Sequence, residues 1–262
     1  MERINILWTG GFDSTFRVCQ LSLLNIEIQP FYIREKRKSE PNELKAITDI
    51  TDYIRSNKVS KCNLLPLYII NHTDIIPDKQ ISDSFNVLHK EFGIGTQYDL
   101  LARFARQNDL ILEVGFESDP TGRVDACFAK YGVIKEAALP VSGGGIIEYC
   151  EVDLNESSED FTNVFGHFQF GLPLFKMTKL QTIKAYEVIG FQKVIPMTWF
   201  CAHPLNGKPC GLCSPCEAAM KASLGFRLPF RARMRYKIFK TNPVGRSIDN
   251  KFKALYNKHW RN

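Results

Sequence analysis

The chain has 262 residues, of which 44% are hydrophobic, and a formal net charge of +6. This length and composition exclude a disordered or fibrous protein and fit a globular chain with one large domain or two small ones. No segment approaches the roughly 18 consecutive apolar residues of a membrane-spanning helix, and the amino terminus lacks the pattern of a secretion signal. We therefore expect a cytoplasmic protein without a membrane partner.

The positive charge is concentrated at the carboxyl terminus. Residues 226–262 contain eleven Lys and Arg residues and a single acidic residue, Asp249. Such a basic segment can contact nucleic acid or an acidic protein surface, but a solvated or core-packed extension explains the same composition. Both interpretations stay open. We predict a main domain over residues 1–225 and a basic C-terminal extension over residues 226–262.

Short apolar runs alternate with helical patterns along most of the chain. We predict strands over residues 4–8, 27–33, 64–70 and 110–116. Helices are predicted over residues 14–24, 42–57, 96–108 and 178–190, the last with Thr178 as its cap and Gly190 as its stop. Strands that alternate with helices indicate an α/β protein with a parallel sheet and helices on both faces. Between about residues 119 and 173 the pattern is too weak to predict elements.

The loop WTGGFDSTF follows the first predicted strand. Its two glycines permit a sharp turn, and the amides at the start of the next helix form a candidate anion site, because unpaired N–H groups and the helix dipole favour negative charge there. The loop is neither the mononucleotide P-loop nor the dinucleotide fingerprint, and an ordinary turn before a helix explains it equally well. The candidate phosphate-binding residues are Thr9, Gly10, Gly11, Phe12, Asp13, Ser14 and Thr15.

Four of the eight cysteines, Cys201, Cys210, Cys213 and Cys216, lie within sixteen residues. This spacing offers four soft ligands to one tetrahedral ion, for which zinc is the first choice. An iron–sulfur cluster fits the spacing too, and His203 is near enough in sequence to replace one ligand. Because protein would fill all four positions, the metal would be structural and could not activate water.

A helix is predicted to begin within the cysteine segment. Ser214, Pro215 and Glu217 have the pattern of a cap, a first helical residue and a capping-box partner. Cys216 would then lie in the first turn, where the helix dipole favours a thiolate.

The Gly-Gly-x-Asp-Ser loop and the four-cysteine segment together resemble the PP-loop ATP pyrophosphatases, and most closely the 7-cyano-7-deazaguanine synthases (QueC-like). The segment from Asp119 through Thr121 and Gly122 to Asp125 is similar to the family's Asp-x-Ser/Thr-Gly-x-x-Asp motif. Lys179 falls at the position of a lysine that precedes the family's metal site. The resemblance covers about residues 4–224.

The chain also departs from the family pattern. Thr9 replaces the usual serine of the loop, which keeps the hydroxyl. The Gly-Gln-x-His-x-x-Glu stretch is missing, and only Glu43 is a candidate for its glutamate. Arg123 and Val124 replace the family's Tyr-Pro, which predicts an altered pocket for the base.

The resemblance implies an adenine nucleotide alpha hydrolase-like fold and a ligase of the queuosine pathway. In the family, ATP activates the carboxyl group of 7-carboxy-7-deazaguanine as an acyl-adenylate, ammonia gives the amide, and a second activation gives the nitrile. The implied cofactors are ATP, Mg²⁺ and structural Zn²⁺, and a homodimer is compatible with the resemblance. The implied catalytic residues are Asp13, Ser14 and Lys179. The substrate candidates are Glu117, Asp119, Thr121, Gly122, Arg123 and Asp125.

Three other functions stay open. A QueC-like enzyme of an anti-phage defence system would transfer the activated acyl group to an amine on a protein or nucleic acid. The altered pocket and the basic extension favour this alternative. A PP-loop tRNA-modifying thiolase would use its cysteines in catalysis or to hold iron and sulfur. A catalytically inactive binding module is disfavoured by the intact loop.

Overall fold

The structure is a computed structural model, and it describes residues 1–117, 122–222 and 224–242. The chain divides into two compact units. The sheet unit comprises Met1–Glu35 and Leu44–Thr198, and the cysteine unit comprises Lys36–Glu43 and Trp199–Asn262. The predicted domain limit at residue 225 stays a prediction. Within the described ranges, every helix falls short of the length and apolar character needed to cross a bilayer.

One mixed sheet organises the sheet unit. Its strands are β1 (Arg3–Leu7), β2 (Glu27–Arg34), β3 (Asn63–Leu64), β4 (Tyr68–Asn71), β5 (Leu112–Val114), β6 (Ile134–Pro140), β7 (Ile146–Val152) and β8 (Phe168–Gly171). The strand order is β3-β2-β1-β5-β8-β7-β6, and β4 also pairs with β2. Strands β1 to β5 and β8 pair in parallel, whereas β7 pairs antiparallel with both β6 and β8.

The prediction of an α/β protein with a largely parallel sheet is confirmed by the strands around β1. Strands β6 and β7, which lie where no elements were predicted, make the sheet mixed because they pair antiparallel. A tight turn joins these two strands directly: the Val141 N–H donates to the Gly145 carbonyl at 3.0 Å. Gly143, Gly144 and Gly145 have φ values of +92°, +94° and +110°, which only glycine adopts readily. A direct turn of this kind requires antiparallel strands.

The helices are α1 (Phe12–Leu21), α2 (Glu40–Ser56), α3 (Lys79–Phe92), α4 (Gln97–Gln107), α5 (Arg123–Tyr131), α6 (Glu159–Phe165), α7 (Lys179–Val188), α8 (Ser214–Lys221) and α9 (Phe230–Tyr236). A π-helical turn, Lys237–Thr241, follows α9. The predictions of α1, α2, α4 and α7 are confirmed. Helix α3 was not predicted, although Asp78 caps it by accepting a hydrogen bond from the Ile81 N–H at 3.1 Å.

The strand predicted over residues 64–70 is divided into β3 and β4. Pro66 lies between them and has no N–H to donate to a strand ladder. Tyr68 and Ile69 in β4 are exposed rather than buried, so the continuous apolar run did not indicate a buried strand.

The sheet is buried on both faces near its centre. In β2, the successive residues Phe31, Tyr32 and Ile33 are all buried, and successive side chains in a strand point to opposite faces. Phe31 and Ile33 belong to an apolar core that includes residues of α3, α4 and α6. Strand β1 lies between β2 and β5: the chain passes from β1 to β2 on one side and later returns to β5 on the other side, which reverses the strand order at β1. Open α/β sheets bind ligands beside the carboxyl ends of strands at such a switch point.

Candidate active site

The Gly-Gly loop connects the carboxyl end of β1 to α1, as the sequence predicts. Gly10 has a φ of +67°, and Gly11 is the N-cap of α1 in an extended conformation. Because Gly11 has no side chain, the N–H groups in the first turn of α1 receive no side-chain cap from it. This arrangement suits an anion at the start of α1.

Two hydroxyls of the loop have different surroundings. Thr15 is fully buried, and its Oγ1 accepts a hydrogen bond from Trp8 Nε1 at 2.9 Å, which holds α1 against the end of β1. Ser14 is also buried, but its Oγ has no hydrogen-bond partner among the described residues. A buried hydroxyl without a partner is costly, so Ser14 is suited to bind a ligand.

Gly115, just after β5, fixes the other side of the loop. A Cβ atom at Gly115 would lie 2.8 Å from both the Cα and the backbone N of Ser14. The backbone after β5 therefore approaches the loop as closely as only glycine permits. Gly115 was not among the predicted site residues, although a glycine within a predicted strand, here 110–116, is a known signal of close backbone approach.

Lys179, the first residue of α7, reaches the loop. The side chain of Gln181 accepts a hydrogen bond from the Thr178 N–H at 2.8 Å and stabilises the start of this helix. Lys179 Nζ lies 2.6 Å from Asp13 Oδ1 and forms a second ion pair with Glu117. We name Asp13, Glu117 and Lys179 the loop cluster.

The ring of Phe12 lies beside the cluster lysine, with its centroid 4.8 Å from Lys179 Nζ. Tyr186 on α7 donates a hydrogen bond from its hydroxyl to the Phe12 carbonyl at 2.7 Å. Its ring also packs against Phe12 and Phe16 on α1. Tyr186 thus ties α7 to the start of α1, a long-range contact that no local sequence pattern reveals.

The loop cluster combines one cation with two carboxylates. Burial raises the pKa of Glu117, and the nearby Asp13 carboxylate raises it further, against the opposing effect of Lys179. Burial opposes the charged form of Lys179, but Asp13 and Glu117 outweigh this effect and raise the pKa of the ammonium group. The lysine is therefore charged at neutral pH. The excess of acidic groups suits an additional cation such as Mg²⁺.

The structure describes four of the six substrate candidates. Glu117 belongs to the loop cluster, Gly122 is the N-cap of α5, and Asp125 lies in the first turn of α5. Arg123 Nη1 donates to the carbonyl of Gly93, the residue that ends α3, at 3.3 Å. Asp119 and Thr121 lie outside the described residues, so their roles stay predictions.

In the cysteine unit, the four predicted metal ligands come together. The sulfur atoms of Cys201, Cys210, Cys213 and Cys216 all lie within 4.8 Å of one another. The Cys201–Cys213 and Cys210–Cys216 sulfur distances are 3.8 and 3.9 Å. Four sulfurs at 2.3 Å from one tetrahedral ion would be separated by about 3.8 Å. The donor set therefore fits a single ion, whereas a four-iron cluster gives each cysteine its own iron and holds the sulfurs further apart.

Backbone N–H groups surround the sulfurs. Cys210 N donates to Cys201 Sγ at 3.2 Å, and Leu212 N and Cys213 N approach Cys210 Sγ at 3.3 and 3.4 Å. Such hydrogen bonds stabilise thiolate ligands. His203 is exposed, and the cysteines form the set without it.

The predicted start of α8 is wrong by one residue. Cys213, not Ser214, is the N-cap, and the Glu217 N–H donates to the Cys213 carbonyl at 3.0 Å. The Glu217 carboxylate does not complete a capping box but pairs with Lys221 at 2.8 Å. The residue at the capping position is thus Cys213, whose sulfur also belongs to the cysteine cluster.

Part of the predicted extension packs onto the cysteine loop. Arg235 Nε donates to the Cys210 carbonyl at 2.7 Å. Gly211 has a φ of +81°, and a Cβ atom there would lie 2.1 Å from the Ala232 carbonyl oxygen. Ala232 is buried, whereas both interpretations of the extension as a whole stay predictions. Residues 243–262, which carry the rest of the extension, lie outside the described residues.

Two curated proteins are similar to the chain over most of its length. The 7-cyano-7-deazaguanine synthase of Nautilia profundicola is 23% identical over 243 residues, which cover 89% of this chain and 100% of that protein. The 7-cyano-7-deazaguanine synthase 1 of Desulfitobacterium hafniense is 25% identical over 242 residues, which cover 84% of this chain and 91% of that protein. No protein-family model matches the chain. The two relatives confirm the family resemblance that the motifs predict.

Proposed function

We propose that this chain, a relative of the 7-cyano-7-deazaguanine synthases, uses ATP to activate the carboxyl group of 7-carboxy-7-deazaguanine and converts it with ammonia to the nitrile. A carboxylate is a poor electrophile, and its conversion to an acyl-adenylate provides AMP as a leaving group. The observation that carries the proposal is the loop cluster, which places Lys179 at the start of α1 beside Asp13 and Glu117.

The first activation requires that the pyrophosphate group leave as its negative charge grows. The first-turn N–H groups of α1 and the unpaired hydroxyl of Ser14 are donors for this charge. The ammonium of Lys179 adds a positive charge, so catalysis here is positioning and electrostatic stabilisation. Asp13 and Glu117 would hold Mg²⁺, which supplies additional positive charge next to the phosphates.

The proposed conversion of the carboxylate to the nitrile uses two ATP molecules, one for each activation. A carboxylate oxygen of the substrate attacks the α-phosphorus of ATP, and pyrophosphate leaves. Ammonia then attacks the acyl carbon, loses a proton to solvent and displaces AMP to give the amide. The amide oxygen then attacks the α-phosphorus of a second ATP, and a second pyrophosphate leaves. The C–O bond breaks to release AMP while the nitrogen loses two protons, which leaves the nitrile.

We further propose that the four cysteines hold a structural Zn²⁺, because their sulfur distances match one tetrahedral ion. The cytoplasm keeps cysteine thiols reduced and supplies ATP. We therefore propose it as the location of this protein. The homodimer that the resemblance allows stays a prediction.

The proposal is tested with the purified chain, 7-carboxy-7-deazaguanine, ammonium and Mg²⁺, by following AMP and the nitrile with mass spectrometry. The α,β-methylene analogue of ATP should be inactive because its α–β link cannot be broken. The β,γ-imido analogue, which keeps a cleavable α–β bond, should support the reaction. Formation of ADP, or activity with the α,β-methylene analogue, would contradict adenylation.

A second function keeps the activation and changes the acceptor to an amine on a protein or nucleic acid, as in an anti-phage defence enzyme. Arg231, Arg233 and Lys237 around α9 are exposed and cationic, which favours contact with an acidic macromolecule. Under this function, AMP forms without a nitrile, and a candidate acceptor gains the mass of the acyl group. A thiolase, by contrast, would contain iron, which metal analysis tests, or would react through its cysteines.

A further inference from the structure

Arg17 on α1 and Glu113 in β5 form a buried ion pair. Their side chains are 2% and 1% exposed. Arg17 Nε donates to Glu113 Oε1 at 2.7 Å, and Nη2 donates to Oε2 at 3.0 Å, so the pair is bidentate. Desolvation makes buried ion pairs poor contributors to stability, and their best-attested use is to specify one arrangement of the surrounding chain.

The same guanidinium also binds two backbone carbonyls. Nη1 donates to the Leu172 carbonyl at 2.9 Å, and Nη2 donates to the Glu148 carbonyl at 3.1 Å. The backbone at Gly171 lies so close that a Cβ atom there would be 2.1 Å from Arg17 Nε. This arrangement of acceptors requires arginine, because a lysine ammonium is a single donor centre and cannot reach all of them.

The segments that Arg17 connects are those that carry the loop cluster. Asp13 lies one helical turn before Arg17 on α1, and Glu117 lies four residues after Glu113. Leu172 leads to the cluster lysine, which follows seven residues later. The three members of the cluster come from distant parts of the chain, and Arg17 contacts each part within the apolar interior.

We propose that Arg17 is a positioning residue which, through Glu113 and the Leu172 carbonyl, sets the relative positions of Asp13, Glu117 and Lys179. Its effect on catalysis rests on the proposed function. Its effect on the environment of Lys179 does not, and can be measured in the chain without substrate.

The decisive variant is Arg17→Met with Glu113→Met, which removes the pair without leaving a buried unpaired charge, an exchange that folded proteins tolerate. It removes the Arg17 donors from the Leu172 and Glu148 carbonyls, which keep hydrogen bonds from Gln20 Nε2 and from the Leu172 N–H, both at 3.0 Å. We expect cooperative unfolding and an unchanged circular dichroism spectrum. Acetylation of Lys179 should become faster relative to that of Lys184, an exposed lysine on the same helix, because Lys179 Nζ is released from its two carboxylate partners. We expect kcat to fall about 100-fold, as for small misplacements of catalytic groups.

A merely structural role would lower the unfolding midpoint without changing the rate of Lys179 acetylation relative to Lys184 in the folded protein. Unchanged labelling and kcat in the folded double variant would therefore overturn the inference. If the double variant does not fold, Arg17→Lys, which keeps the charge opposite Glu113, decides by the same readouts. The control is Lys130→Met with Glu91→Met, an exposed ion pair elsewhere in the sheet unit. A wild-type chain that forms no AMP contradicts the proposed function and leaves the labelling comparison valid.

Discussion

Lys179 and Asp13 form an ion pair at 2.6 Å although they lie 166 positions apart in the chain. The pair joins the first residue of α7 to the first turn of α1, and Glu117 completes it from the segment after β5. The ammonium group is thus held beside the proposed phosphate site before any nucleotide binds. Charges fixed in advance need no reorganisation during the reaction.

Replacement of Lys179 by methionine tests this cation directly. We expect the rate of AMP formation to fall by about 10²–10³, the usual effect of removing one donor to developing negative charge. Lys184→Met, at an exposed position on the same helix, should retain the wild-type rate. Equal activities for the two variants would exclude Lys179 from catalysis.

Glu117→Gln should make stability less dependent on pH. The pKa of Glu117 is raised in the folded chain, chiefly by burial and then by Asp13, so the folded state binds more protons than the unfolded state between the two pKa values. Ionised Glu117 therefore lowers the free energy of unfolding as pH rises through this interval.

Thermal unfolding of the wild type and of Glu117→Gln measures this effect. The variant should have the higher midpoint at pH 8, and the difference should vanish near pH 4, at about the ordinary pKa of glutamate. The variant should also form AMP more slowly, because one proposed Mg²⁺ ligand is lost. A difference in midpoint that is the same at both pH values would contradict the raised pKa.

Gly115→Ala tests the close approach between β5 and the loop. The added Cβ would lie 2.8 Å from backbone atoms of Ser14, which a rigid main chain can relieve only by moving. Overpacking of this kind costs about 1–3 kcal/mol. If roughly 1.4 kcal/mol of this cost is lost from the binding free energy of ATP because the loop is displaced, the Kd for ATP rises about tenfold. In Gly95→Ala, the added Cβ meets only the flexible Gln97 side chain at 3.5 Å. That control should bind ATP as the wild type does.

The metal proposal predicts about one zinc ion per chain, the content of a four-cysteine structural site. Cys210→Ser should lose most of this zinc, measured by mass spectrometry of the elements, because one of four ligands becomes a poor donor. Cys62→Ser changes a half-buried cysteine outside the cluster and should keep the zinc. Iron and sulfide in place of zinc would instead favour the thiolase.

Two truncations separate the roles of the basic extension. Deletion of residues 226–262 removes Arg235 and Ala232, which contact the cysteine loop, so we expect loss of zinc. Deletion of residues 243–262 keeps these contacts and should keep both zinc and AMP formation. If the shorter deletion abolishes transfer to a macromolecular acceptor and spares AMP formation, the second function is supported. Loss of AMP formation in the shorter deletion would show that both assignments of the extension are wrong.

Local sequence determined the elements and motifs that depend on neighbouring residues. Alternating apolar runs predicted β1, β2, α1 and α4, and the spacing of four cysteines predicted their cluster, because ligands on one short loop need no distant partner. Thr178 likewise predicted where α7 begins, because its capping-box partner, Gln181, lies only three residues further along the chain. These features arise from interactions over a few residues.

Tertiary structure decided which distant residues meet. Lone charges within apolar segments, Arg17 in α1 and Glu113 in β5, were visible in the sequence, but only the adjacency of β1 and β5 in the sheet makes them partners. The same adjacency places Gly115 against Ser14. Contacts such as these depend on strand order and on crossovers of about a hundred residues. Periodicity and spacing describe only near neighbours, so they carry no information about such pairs.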